Sequence, residues 1–310
     1  MVVCTSAGAR GLTHHALIHP PSADLTATLA PLVIERLERG EPVLAVLPPT
    51  TVVGLRARLP TLTGLHTIDP GELYRRPGRV LHRYRAWIAD TSPDGRSAMI
   101  VAAPDPSGDD PHRAALWMHI DAITTLAFAE CDLTLVCAYP NNPATADAVR
   151  RTHPSLVNGS ITPNPDYLPA EQFLASHPLP PPIELGKPDL THIIDHPPEL
   201  ATLRHLVAGH AARSGLPAAR CGDFVLAVTE IASNALEHGV PPIAVLLWTI
   251  PTSVICQITD TGQHTQPLAG LLPPWATQRR GRGLWMAHQL CDQLYLWPRP
   301  TTVRLQMDRT

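Results

Sequence analysis

The sequence is almost empty of lysine: Lys187 is the only one, and all other positive side chains are arginine. Any phosphate clamp in this chain must therefore be built from arginine or from backbone amides. No G-x-x-x-x-G-K-[ST] pattern occurs, which excludes the phosphate loop of P-loop nucleotide enzymes. Long apolar runs are missing too. None approaches the ~20 residues that cross a bilayer, so no membrane association is expected. The start, Met1 to Ser6, lacks a charged region followed by an apolar core, so no secretory leader is expected. The six cysteines (Cys4, Cys131, Cys137, Cys221, Cys256 and Cys291) form no C-x-x-C pair, and several lie inside apolar runs, where a free thiol packs as a small hydrophobe. The expectation is a reduced, cytoplasmic protein. A formal charge of 24 − 27 = −3 gives no global basic field, so direct nucleic-acid binding is not expected. No repeat at a fixed period is visible.

What is present is enough for two cores. The chain has 310 residues, 44% of them hydrophobic and 16% charged, as in a globular protein of two ordinary domains. Proline marks the boundary. Pro163, Pro165, Pro169, Pro178, Pro180, Pro181, Pro182 and Pro188 crowd a stretch that regular helix or central strand would not tolerate. The division predicted is a first domain over 1–160, a semi-rigid linker over 161–194 with a helical turn near Leu168 to Ala175, and a second domain over 195–310.

The first half alternates strand-like and helix-like segments. Strands are predicted at Ala16–Ile18, Pro42–Leu47, Leu65–Ile68, Ala98–Ala102 and Leu133–Ala138. Helices are predicted at Asp24–Arg39, Val52–Leu59, Pro77–Asp90 and Ala114–Ala129. That alternation implies an α/β domain with a mostly parallel sheet covered on both faces. Ligands of such folds usually bind beyond the carboxyl ends of strands, here the loops after Leu47 and Ala102. The second half groups helices (Pro198–Ser214, Ala218–His238, Gly283–Leu290) with strands (Ile243–Ile250, Ser253–Thr259, Leu294–Trp297, Thr301–Met307), an α+β sandwich.

Three segments of this second half carry chemistry. On the helix that ends at Gly239, Glu230 and Asn234 are four residues apart and share a face. A carboxylate beside a carboxamide suits a hydrated Mg²⁺ with bound phosphates; the plain alternative is a solvated helix face. Asp260-Thr261-Gly262 follows an apolar strand. Asp260 can accept a hydrogen bond from an exocyclic amine, and Gly262 lets a ring approach the backbone, though Asp-x-Gly turns are common. Arg280-Gly281-Arg282-Gly283-Leu284-Trp285 is a glycine-flanked helix start. Its free amides favour phosphate, with Arg279, Arg280 and Arg282 adding charge; solvated loop arginines are the alternative.

In order and spacing these segments resemble the N box and the two glycine boxes of the Bergerat-fold, histidine-kinase-like ATPases. More closely, residues 195–308 resemble the bacterial anti-sigma factor serine/threonine kinases. The resemblance implies bound ATP and Mg²⁺, with Asn234 holding the metal and Glu230 acting as base toward an acceptor hydroxyl. It places Asp260 on adenine N6, Gly262 against the adenine, and Arg280, Gly281, Arg282, Gly283 and Leu284 around the phosphates. Thr301, on the parity of Val303 and Leu305, matches a threonine near adenine. The lid between Gly262 and Gly281 is short and lysine-free, and the G-R-G-L start of the last helix lacks the extra glycines of histidine kinases.

In the first half, His14-His15-Ala16-Leu17, Glu38 to Val43, Leu126 to Ala129 and Arg151-Thr152-His153-Pro154 resemble the MEDS sensory domain, which is similar to a degenerate RecA-like layer. That resemblance makes Asp121 the acid of its long helix. His14, His15 and His19, with His112 and His119 further on, invite a metal or haem reading. No spacing among them matches a closed site, and 16 histidines cluster by chance, so no metal is expected there.

The function implied is an ATP-binding regulatory kinase with a sensory domain, which controls a sigma factor by partner switching. Its partners would be a sigma factor and a STAS-type antagonist phosphorylated on Ser or Thr; a homodimer is left open. The alternative is a nucleotide-gated binding module without transfer. A histidine kinase is disfavoured, because proline-rich sequence stands where a phosphoacceptor helical hairpin would precede the ATPase half.

Overall fold

The computed structural model describes residues 11–59, 63–104, 110–264, 270, 271, 274 and 282–309. The chain divides into two compact units, Met1–Arg75 with Val80–Pro178, and Arg76–Arg79 with Leu179–Thr310.

The first unit runs β1 (Thr13–His19), α1 (Leu25–Glu38), β2 (Val43–Val46), α2 (Pro49–Arg58), β3 (Leu65–Thr67), α3 (Pro70–Tyr74), α4 (Val80–Thr91), β4 (Ala98–Ala102), α5 (Pro111–Ala127), β5 (Leu133–Pro140), α6 (Ala146–Thr152), β6 (Ser155–Asn158), β7 (Ser160–Pro163) and α7 (Ala170–Ser176). The strands form one seven-stranded sheet in the order β3-β2-β4-β5-β1-β6-β7. All its pairs are parallel except β6 with β7. The central strands β2, β4 and β5 are buried along nearly their whole length, as a sheet covered on both faces requires. One face packs Val43, Ala45, Met99, Val101, Val136 and Ala138 against Leu25, Leu29, Val33 and Leu37 of α1.

Local chemistry sets the ends. Asp24 caps α1 by accepting from the Thr26 N–H (2.9 Å), and Gly40, at φ +73°, lets the chain leave the helix. Asp110 caps α5 by accepting from the N–H groups of His112 and Arg113. Some elements depart from expectation. The helix foreseen from Pro77 is a 3₁₀ turn over Pro77–Arg79, and the α-helix begins only at Val80. α2 starts three residues before the expected Val52, because Pro49 fits the first helical position. The short α3, α6 and the edge hairpin β6–β7 were not foreseen, since none carries a long apolar period. Cys131 is disulfide-bonded, so uniformly free thiols do not hold; Cys137, Cys221, Cys256 and Cys291 are free.

The second unit contains β8 (Leu190–Ile194), α8 (Glu199–Arg213), α9 (Ala218–His238), β9 (Ile243–Thr249), β10 (Ser253–Thr259), α10 (Gly283–Leu290), β11 (Gln293–Pro298) and β12 (Thr301–Asp308). Its five-stranded sheet, β11-β12-β10-β9-β8, is antiparallel throughout. Alternate residues (Val245, Leu247; Val254, Cys256, Ile258; Val303, Leu305, Met307) meet Leu203 and Val207 of α8 and Phe224, Val228 and Ile231 of α9 in one apolar core. Burying one such side chain stabilises the unit by about 2 kcal/mol. On the opposite face the proline-rich segment lies along the sheet. Trp297 Nε1 donates to Pro180 O (2.7 Å), Arg304 Nη2 to Ile183 O (2.9 Å) and Trp248 Nε1 to Gly186 O (3.1 Å). Residues 161–194, read from sequence as a linker, thus include α7, β8 and this strap. Among the described residues no helix is long and apolar enough to cross a membrane.

Candidate functional site

The motifs meet at the ends of elements in the second unit. Glu230 and Asn234 lie half-buried on α9, with Val228, Ile231 and Ala235 turned into the core. Gly283, the first residue of α10, stands directly against them. A Cβ built on it would lie 2.6 Å from Glu230 Oε2 and 3.1 Å from Asn234 Nδ2. Only glycine fits that approach without a shift. Arg282 is the N-cap of α10 and its side chain makes no capping bond, so the amides of the first turn receive no acceptor from the cap. Leu284 is partly buried against the core and also meets Gly270, whose φ is +72°. Arg280 and Gly281 lie outside the described residues.

Asp260, just past β10, is buried, and the main chain holds it. Its Oδ1 accepts from the N–H groups of Gly262 (2.7 Å) and Val240 (3.2 Å). Two glycines make room for the carboxylate. A Cβ on Gly262 would stand 2.6 Å from Oδ1, and one on Gly239 would stand 2.7 Å from Oδ2 and 2.6 Å from Ala235 O. Thr301 contributes through its backbone, since its N–H donates to Gly262 O (3.1 Å) and its carbonyl accepts from the Asp260 N–H (3.0 Å). The Asp260 turn therefore abuts the end of α9, five residues beyond Asn234, or about 7 Å along the helix axis.

Glu230 also borders a groove of about 380 Å³ whose walls include Arg204 of α8 and Cys221 and Gly222 of α9. Below the site, the buried Asp292 carboxylate accepts from Arg76 Nε (2.6 Å), from Arg220 and from the Asp308 N–H (2.8 Å), which fixes the end of α10. His288, also on α10, is buried, and desolvation pulls its pKa down to about 4. Sequence reasoning missed Gly239 and Val240 as holders of Asp260. Gly239 read only as a helix stop, and a backbone donor such as Val240 leaves no trace in side-chain identity.

Residues 13–154 match the family model "MEDS: MEthanogen/methylotroph, DcmR Sensory domain", and residues 195–307 match the "Histidine kinase-like ATPase domain". No match is found among curated proteins. Among solved structures, the RsbU and RsbW domains of Rv1364c from Mycobacterium tuberculosis align at 22% identity with a TM-score of 0.28, over 39% of this chain and 32% of that one. The chain thus spans about a third of that relative's length. Residues 13–154 are thus similar to a MEDS domain and residues 195–307 to a histidine kinase-like ATPase domain.

Proposed function

We propose that the second unit binds ATP with Mg²⁺ and serves as an anti-sigma-type serine/threonine kinase that acts by partner switching, with the first unit as its sensor. The convergence of Gly283 on Glu230 and Asn234 carries this reading. A glycine pressed against a carboxylate and a carboxamide brings them to a helix start, where phosphate is favoured. The bound nucleotide and metal would supply the transferable phosphoryl group and neutralise its charge. Asn234 offers its carboxamide oxygen to the metal. Asp260, fixed through Oδ1, keeps Oδ2 to accept from the adenine amine, while Gly262 admits the ring. Arg282, Gly283 and Leu284 line the phosphate side, and Thr301 holds the adenine turn. Glu230 takes the proton of an acceptor hydroxyl, and the adjoining groove gives that hydroxyl an approach from the surface.

Incubation with labelled ATP, Mg²⁺ and candidate STAS-type antagonists should place acid-stable label on Ser or Thr. Glu230→Gln should abolish transfer and leave nucleotide affinity within about threefold. Unchanged ATP affinity in both Asn234→Ala and Asp260→Asn would refute the nucleotide site. Tight binding with no transfer to any antagonist would favour the nucleotide-gated binding module, a reading supported by the lysine-free stretch between Gly262 and Gly281.

A further inference from the structure

The first unit buries a set of side chains for which the ATPase reading has no use. His14 lies on β1 and Cys137 on β5, and the parallel register pairs His14 with Leu135 and Ala16 with Cys137, so both point from the same sheet face. Asp121, on α5, and His153, at the end of α6, meet them there. All four are at least 95% buried, and one donor atom from each lies within 4.8 Å of the others.

The spacings are informative. His14 Nε2 is 3.7 Å from Asp121 Oδ1 and 3.6 Å from Cys137 Sγ, and His153 Nδ1 is 3.5 Å from Asp121 Oδ2. The nitrogen–oxygen contacts are too long for hydrogen bonds. Ligand atoms at zinc–nitrogen, zinc–oxygen and zinc–sulfur bond lengths around a tetrahedron stand about 3.3–3.6 Å apart. The two gaps from His14 Nε2 are those of donors arranged around a centre, while the His153 Nδ1 contact shows only that this ring stands beside the same carboxylate. The outer contacts fit as well. His14 Nδ1 meets Thr125 Oγ1 (3.2 Å), which leaves Nε2 for the centre. Asp121 Oδ2 accepts from Thr152 Oγ1 (2.8 Å). His153 Nδ1 meets Val149 O (2.8 Å), while its buried Nε2 has no partner. Imidazoles whose other ring nitrogen is tied to a carbonyl or hydroxyl are the usual orientation of metal ligands.

We infer that His14, Asp121, Cys137 and His153 form a closed site for one divalent transition metal of the zinc class. Two imidazoles, one thiolate and one carboxylate make a borderline-soft set that suits zinc over magnesium or calcium. On binding, the Cys137 thiol passes its proton to solvent and the sulfur joins the metal. His15, on the opposite sheet face, and the half-buried His19 take no part. Of the histidines that invited a metal reading in the sequence, only His14 belongs to the site; its partners lie more than 100 residues away.

The test uses the full chain. Purified from zinc-supplemented cells and dialysed against a weak chelator, it should retain about one zinc per chain by elemental analysis. Reloaded with Co²⁺, it should show the absorption of a tetrahedral centre with a thiolate charge-transfer band. Cys137→Ser should remove that band, and His14→Ala with Cys137→Ser should weaken Zn²⁺ binding at least ~100-fold, whereas His19→Ala should match wild type. Should a variant fail to fold, the wild-type measurements decide alone. Zinc below a tenth of a metal per chain with no uptake of added Zn²⁺, or a thiolate band that survives Cys137→Ser, would overturn the assignment.

Discussion

The two units treat polar side chains in opposite ways. The first places His14, Asp121, Cys137 and His153 within a core, on the inner face of a parallel sheet, where no small molecule reaches them without opening the fold. The second keeps its sheet face apolar and sets Glu230, Asn234 and Asp260 at the ends of helices and strands, framed by glycines. A site enclosed by packed side chains suits a ligand that enters once and stays. A site at element ends, held by main-chain amides, suits a large ligand that must come and go. The cost of burying polar groups is offset mainly by side chains in the first unit, where His153 Nε2 alone of the cluster's ring nitrogens lacks a partner, and by backbone in the second.

The contrast can be broken most sharply at Asp292, the second unit's own buried charge. Asp292→Ala leaves Arg76 and Arg220 facing each other without their carboxylate, and should cost about 3 kcal/mol of unfolding free energy in urea titrations. Acid probes the same unit. His288 titrates near 4 in the fold and near 6.5 when unfolded, so the unfolded chain takes up the proton first. Its stabilisation is complete above pH 6.5 and is lost as pH falls toward 4, by about 3 kcal/mol. His288→Leu should flatten the stability profile across that window, read by thermal unfolding at stepped pH.

Smaller effects test the open site. Gly283→Val would force a side chain into Glu230 and Asn234, and should weaken nucleotide binding ~100-fold, or about 2.7 kcal/mol by calorimetry, with little change in far-ultraviolet dichroism. Gly239→Ala presses on Asp260 rather than on Glu230 and Asn234 and should cost roughly tenfold in the same assay. Arg39→Ala, which removes an exposed one-turn pair with Glu35 from the first unit, should change stability by less than about 0.5 kcal/mol.

How legible each unit was in the sequence follows the same division. The second unit's site is built from near neighbours along the chain, so Glu230/Asn234, Asp260/Gly262 and Arg282/Gly283 stood out as local patterns. Most of the long elements were legible for the same reason, since period and caps are local. The first unit's cluster joins residues 14, 121, 137 and 153, and only strand order brings β1 beside β5. No spacing rule covers such a set, and the histidine groups that stood out along the chain (His14, His15, His19) are split between faces by the alternation of a strand. The 3₁₀ turn at Pro77–Arg79 and the edge hairpin β6–β7 were hidden because neither shows a hydrophobic period.

The way Asp260 is held has a consequence for sequence drift. Its oxygen is gripped by amide groups that every residue except proline possesses, so position 240 can change freely among the other side chains while the grip persists. Positions 239 and 262 have no such freedom, because any added carbon strikes the carboxylate. Mutation at this corner can therefore displace the Asp260 carboxylate but has few ways to retune its position. Variation among descendants of this chain should accumulate at 240 and be absent at 239 and 262.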